Sequence, residues 1–122
     1  MCPPADGEDL SQLRSLLWDF LEASTADPRA PAGFEGGWKR GDASTWGDDG
    51  MSRVGSCGVG ILSGGGVGQS AFLWACRELP GVRAAFAAVW GGNADLITSF
   101  EGFSMFPPAA QVTANYSVGA VG

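Results

Sequence analysis

The chain has no histidine among its 122 residues. That absence excludes a histidine-based triad, a histidine general base and any imidazole-ligated metal within these residues. Cysteine is scarce too: Cys2, Cys57 and Cys76 are an odd number without CxxC spacing. Neither a disulfide framework nor a zinc site is indicated. Basic residues are few, 7 against 13 acids, for a net charge of −6. Binding a phosphate backbone needs clustered Lys and Arg, so nucleic acid is not an expected partner, and an anionic membrane surface is disfavoured for the same reason. No apolar run approaches a membrane span. The opening residues MCPPADGEDL lack the basic start and apolar core of a secretory signal. These absences together make a reducing, cytoplasmic location the expectation.

What is present is ordinary globular material. Apolar residues make up 45% of the chain, enough for a packed core in one small domain or a fragment of a larger one. Residues 1–8 read as a loose N-terminus. From Asp9 the residues Leu10, Leu13, Leu16, Leu17, Phe20 and Leu21 recur at spacings of three and four, which predicts a helix over 9–24. Pro28 cannot continue it, and Asp6 or Asp9 suits its first turn. Trp18 is expected to pack at the edge of the core.

Residues 26–53 read as a long loop rich in Pro, Gly, Asp and Ser. Exposed tryptophan is costly in such a segment, so at least one of Trp38 and Trp46 should fold back onto the core. The pair Asp48 and Asp49 reads as a solvated turn, because a cation site would need further oxygen ligands at defined spacing. Residues 54–67 are Gly-rich, with Val59, Ile61 and Leu62 as their apolar group, and suit either a short strand or an ordered loop. Helices are predicted over 69–79 and 81–90, with Pro80 in the first turn of the second and Gly91 as its cap. Val82, Phe86, Val89 and Trp90 form the stripe expected to be buried. Residues 95–100 read as a strand, with Glu101-Gly102 as a turn or bulge, 103–106 as a segment able to pair with it and Pro107-Pro108 ending the pairing. The tail 109–122 consists of small residues with one tyrosine.

Few residues are candidates for chemistry. Ser63 to Ser70, SGGGVGQS, has the glycines of a phosphate-binding loop, but Gln69 stands where the lysine belongs. The overlapping Gly66-x-Gly68-x-x-Ala71 matches a dinucleotide fingerprint without the acid expected about 20 residues later. The simpler reading is a turn in which glycine permits close approach. Glu78, Asp95 and Glu101 lie nearest the apolar segments, yet no spacing forces two together for acid–base work. Cys76 reads as a small buried residue. Arg77 and Arg83 flank Pro80 and either pair with acids or bind a carboxylate or a CoA phosphate.

The segments SQLRSLLWDFLE, STWGDD, GVGQSAFLWACRELPGVRAAFAAVWG and DLITSFEGFSMFPP resemble, in that order, the N-terminal part of phytanoyl-CoA dioxygenase-like proteins. The resemblance covers residues 10–108, most specifically at QSAFLWACRELPGV and DLITSFEG. It implies an α+β fold: N-terminal support helices plus the first strands of an incomplete double-stranded β-helix, or jelly roll. It also implies iron(II) and 2-oxoglutarate as cofactors of a full-length member. Such enzymes hold iron through a His-x-Asp pair and a distant His, leaving open positions for co-substrate and dioxygen, and a basic residue holds the co-substrate carboxylate. Those motifs lie beyond the strand that DLITSFEG matches. Glu101 stands where the family favours aspartate, and the tail AAQVTANYSVGAVG has no counterpart there. With no histidine, the resemblance carries no catalytic, cofactor-binding or metal residue over to this chain. The chain is therefore expected to be a truncated, inactive member, able to self-associate through apolar surface or strand edges that the missing strands leave uncovered. The alternatives are a non-catalytic interaction module and, third, a nucleotide-binding domain using Gly64 to Ser70.

Overall fold

The computed structural model describes residues 7–29, 36–56 and 60–105. The expected loose start before Gly7, Cys2 and Cys57, and the tail 109–122 lie outside the described residues. The first helix, α1, runs Gly7–Thr25, close to the span its apolar stripe predicts. Its C-terminal half does the packing: Leu21 is fully buried, and Leu17, Trp18 and Phe20 lie against the same core. Leu10 stays exposed, so the stripe is engaged along part of its length. The helix ends in a buried hydroxyl. Thr25 Oγ1 donates to the Leu21 carbonyl at 2.7 Å and accepts the Trp38 backbone N–H at 2.8 Å.

That second bond explains how a polar connection becomes ordered. Trp38 is buried, and its indole N–H donates to the Gly47 carbonyl at 3.0 Å. Trp46 packs beside it, with ring centroids 6.4 Å apart, and lies 5.0 Å from Trp18. Its N–H donates to the Lys39 carbonyl at 2.8 Å. Both indoles contribute apolar area while each polar edge finds a carbonyl from the same loop. The expectation that a loop tryptophan folds back is met. The reading of 26–53 as one long loop is corrected in its second half, where a 3₁₀ turn at Ala43–Thr45 and a helix, α2, at Asp48–Val54 stand. Asp48 and Asp49 open α2 rather than a turn. The Asp42 carboxylate accepts the Ser44 N–H at 3.0 Å, capping the 3₁₀ turn. Met51 and Val54, from α2, enter the core.

The sheet is small. Its strands β1 (Gly55–Ser56), β2 (Ile61–Leu62) and β3 (Phe103–Ser104) pair antiparallel in the order β1-β2-β3. Leu62 stands opposite Gly55 on one side and Phe103 on the other. Fully buried itself, it joins Leu21, Trp38, Met51 and Val54 in the core. Burying side chains of this size contributes ~1.5–3 kcal/mol each. The core therefore lies where α1, α2, the tryptophan loop and the sheet meet. This is an α+β arrangement.

Helices α3 (Ala71–Glu78) and α4 (Pro80–Val89) match the two predicted spans within two residues. Ser70 caps α3, its hydroxyl accepting the Leu73 N–H at 3.2 Å. Leu79 leaves helical geometry at φ −54°, ψ 126°, as a residue before proline tends to, and Pro80 restarts the chain as α4. Gly91 and Gly92 adopt φ of +69° and +87°. Gly92 N–H bonds the Ala87 carbonyl at 2.7 Å and Gly91 N–H the Ala88 carbonyl at 3.3 Å, the paired bonds of a Schellman cap.

Two expectations fail here. Residues 95–100 form no strand, and β3 pairs with β2 rather than with them. Strand propensity becomes a strand through a pairing partner. The partner expected for 95–100, the segment that forms β3, pairs with the central strand β2 instead, and no strand among the described residues lies against 95–100. Nor is the α4 stripe buried: Phe86 is 59% exposed, Trp90 67% and Val89 76%, with Val82 also exposed. Among the described residues α4 leans on α3, and its opposite side stays open. None of the helices is long and apolar enough to cross a membrane.

Candidate functional site: an open apolar face

After the Gly91-Gly92 cap the chain runs back along α3, and one cluster fixes its path. Arg77, on α3, donates Nη1–H to the Gly68 carbonyl at 2.8 Å. Its guanidinium carbon sits 5.3 Å from the Trp74 ring centroid and 5.7 Å from that of Phe100. Cation–π contacts at this range contribute ~0.5–2 kcal/mol. The Trp74 and Phe100 rings are themselves 5.7 Å apart, and the Trp74 indole N–H donates to Gln69 Oε1 at 3.1 Å. Arg77 thus holds together the glycine loop, α3 and the 94–102 segment. The expected pairing of Arg77 with an acid is corrected: a carbonyl and two aromatic faces hold it.

The glycine loop serves the same packing. A Cβ on Gly68 would lie 1.8 Å from the Phe100 carbonyl oxygen, far inside contact distance. Glycine is required there because another stretch of backbone passes against it. The space over Gly68 is filled by protein, and Gln69 is engaged with an indole. Loop residues Val67 to Gln69 form a 3₁₀ turn leading into α3.

Between α3, α4 and residues 94–98 lies an open groove of about 520 Å³. Trp74, Val82, Phe86, Trp90, Leu96 and Ile97 supply its apolar walls. Ile97 is 103% exposed, and every residue from 91 to 100 is exposed. Arg77, Arg83 and Glu78 lie along the rim. The Arg83 side chain makes no ion pair or hydrogen bond among the described residues. Cys76 is half-buried, and burial pushes its thiol pKa up, which disfavours the reactive thiolate.

Of the sequence candidates, Arg77, Glu78 and Arg83 come together at this groove. Asp95 and Glu101 are exposed, on the segment that follows α4. No group of three or more His, Cys, Asp or Glu able to hold a metal is found among the described residues. With no imidazole in the chain, its donors do not fit the two-histidine, one-carboxylate iron site of the oxygenases it resembles. The groove instead presents apolar area with charge at its edge, which suits burial against another surface. Sequence reasoning placed the α4 stripe indoors and missed its openness. One signal was available: PGVRAAFAAV carries a single charge in ten residues, so it has no polar face of its own for solvent. Compared with protein-family models, curated proteins and solved structures, this chain matches none.

Proposed function

We propose that this chain is a non-catalytic scaffold whose face over α4 and residues 94–100 is built to be covered by other polypeptide. In this reading the chain corresponds to the helical support layer of a phytanoyl-CoA dioxygenase-like jelly roll, on the strength of the sequence segments that resemble that family. One observation carries the reading: Val82, Phe86, Trp90, Leu96 and Ile97 are exposed together around one groove, with Val89 and Phe100 exposed on the same two segments, while Leu21, Trp38, Met51, Val54 and Leu62 are buried in an ordered core. Support also comes from the order of the elements. A long first helix, a tryptophan-bearing connection, two helices joined at Pro80 and then an extended segment leading into the short strand β3 follow the order of the resembling segments.

In this reading the scaffold does not turn over substrate by the oxygenase mechanism, which needs the imidazole ligands that the sequence lacks. The test is incubation of the purified chain with iron(II), 2-oxoglutarate and dioxygen, with succinate as the readout. Succinate at the level of a protein-free blank is expected, and chain-dependent succinate overturns the non-catalytic reading. A hydrophobic dye such as anilinonaphthalene sulfonate tests the face. Binding is expected, weakened by Phe86→Asp, and a chain that takes up no dye overturns the open face.

A further inference from the structure

We propose that the occupant of this face is a second copy of the same chain, docked about a two-fold axis through α4 and residues 94–100. The proposal rests on the scaffold reading above and names its partner. Three observations converge on it.

The first is area. With fully exposed aromatic side chains presenting ~150–250 Å² each, the fractional exposures of Trp74, Phe86, Val89, Trp90, Ile97 and Phe100, with their smaller neighbours, leave on the order of 800 Å² of apolar surface. That exceeds the ~300–600 Å² of the largest patch on a typical monomer. Doubled across a two-fold axis it reaches the ~1,600 Å² of a standard stable interface.

The second is backbone. The stretch Leu96-Ile97-Thr98 has strand-forming composition. Yet among the described residues 96–101 makes no backbone–backbone hydrogen bond: the Ser99 carbonyl accepts the Thr98 hydroxyl at 3.4 Å, and Asp95 N–H is turned to the side chain of Asn93. A β-prone segment with unpaired N–H and C=O groups is a template for another strand. Two copies of 95–100 can pair antiparallel, each satisfying the other, and an isologous contact needs no second surface.

The third is charge. The chain carries −6 overall, so copies repel over most of their surface. The groove rim is the exception: Arg77 and Arg83 stand there with Glu78, while Asp95 and Glu101 are exposed on the segment beside it. The unpaired Arg83 and the exposed Glu78 share the groove rim, so a two-fold arrangement can set Arg83 of each copy toward the partner's Glu78.

The experiment is sedimentation velocity and multi-angle light scattering from low to high micromolar chain, with amide hydrogen exchange at 95–100. The expected result is a concentration-dependent species of twice the 12.5 kDa chain mass, with amides at 96–99 protected in that species. Ile97→Asp and Val89→Arg change side chains that contact little in the single chain, so they leave the fold intact; each should weaken association at least ~10-fold and remove the protection. Leu10→Asp, on the exposed start of α1, should leave association unchanged. A wild-type chain that stays monomeric yet binds anilinonaphthalene sulfonate, with dye lost in Ile97→Asp, overturns the dimer and leaves the scaffold reading standing. A monomer that binds no dye overturns both. A dimer indifferent to Ile97→Asp and Val89→Arg overturns the assignment to this face.

Discussion

Replacing Thr25 by valine changes one atom in shape and two hydrogen bonds in chemistry. The hydroxyl is buried, donates to the Leu21 carbonyl and accepts the Trp38 backbone N–H at 2.8 Å. Valine fills nearly the same volume, so no cavity is expected. The Leu21 carbonyl stays at the end of a helix where other donors can reach it, but the Trp38 N–H is left in the core without an acceptor. A buried donor stranded in this way costs ~1–3 kcal/mol. For a chain of this size each 1 kcal/mol shifts the midpoint by roughly 3–6 °C, so Thr25→Val should lower the melting temperature by ~3–18 °C. Thr25→Ser keeps the oxygen and loses a methyl group, and should cost about 1 kcal/mol or less. The assay is thermal and urea unfolding followed by tryptophan fluorescence, with near-ultraviolet circular dichroism for the stacked indoles. If Thr25→Val melts with the wild type, or Thr25→Ser is the more damaging change, the hydroxyl is not what ties the tryptophan loop to α1.

Three further outcomes are expected. Hydrogen bonds from the Arg40 side chain and backbone N–H hold the Glu22 carboxyl below its ordinary pKa. The stability this contributes is complete above the ordinary carboxylate range and is lost as pH falls through the lowered value. Arg40→Ala should therefore flatten the acid side of a stability–pH profile, and an unchanged acid limb would refute the link. Gly68→Ala sets a methyl group into the Phe100 carbonyl and should destabilise by ~1–3 kcal/mol in urea unfolding; a neutral result would show that the 94–102 segment does not pass there. Arg77→Met keeps the apolar stem but removes the clamp on Gly68, Trp74 and Phe100, so proteolytic cleavage within 94–102 should accelerate while the exchange of the Trp38 amide does not change.

The sequence by itself determined the helices and the chemistry that is absent. Periods of three and four set α1, Ser70 and Pro80 bracket α3, and the Gly91-Gly92 cap ends α4, because these signals are local and rest on backbone geometry. A count of histidines settles the imidazole question without coordinates. Folding back of the loop tryptophans was also legible, since an indole seeks both a core and a carbonyl. α2 was not, because DDGMSRV has little helical periodicity and is held by burial of Met51 and Val54. Which apolar residues face the core was decided by tertiary structure alone. Amphipathic spacing shows that a helix has an apolar side and says nothing about whether another element reaches it, which is why the stripe on α4 reads the same buried or open. Residues 95–100 have the composition of a strand, but pairing depends on a neighbour, and the segment expected to pair with them joins β2 instead. The same distinction explains Gly68: its need for glycine comes from the Phe100 carbonyl, 32 residues along the chain, a contact that no local pattern encodes.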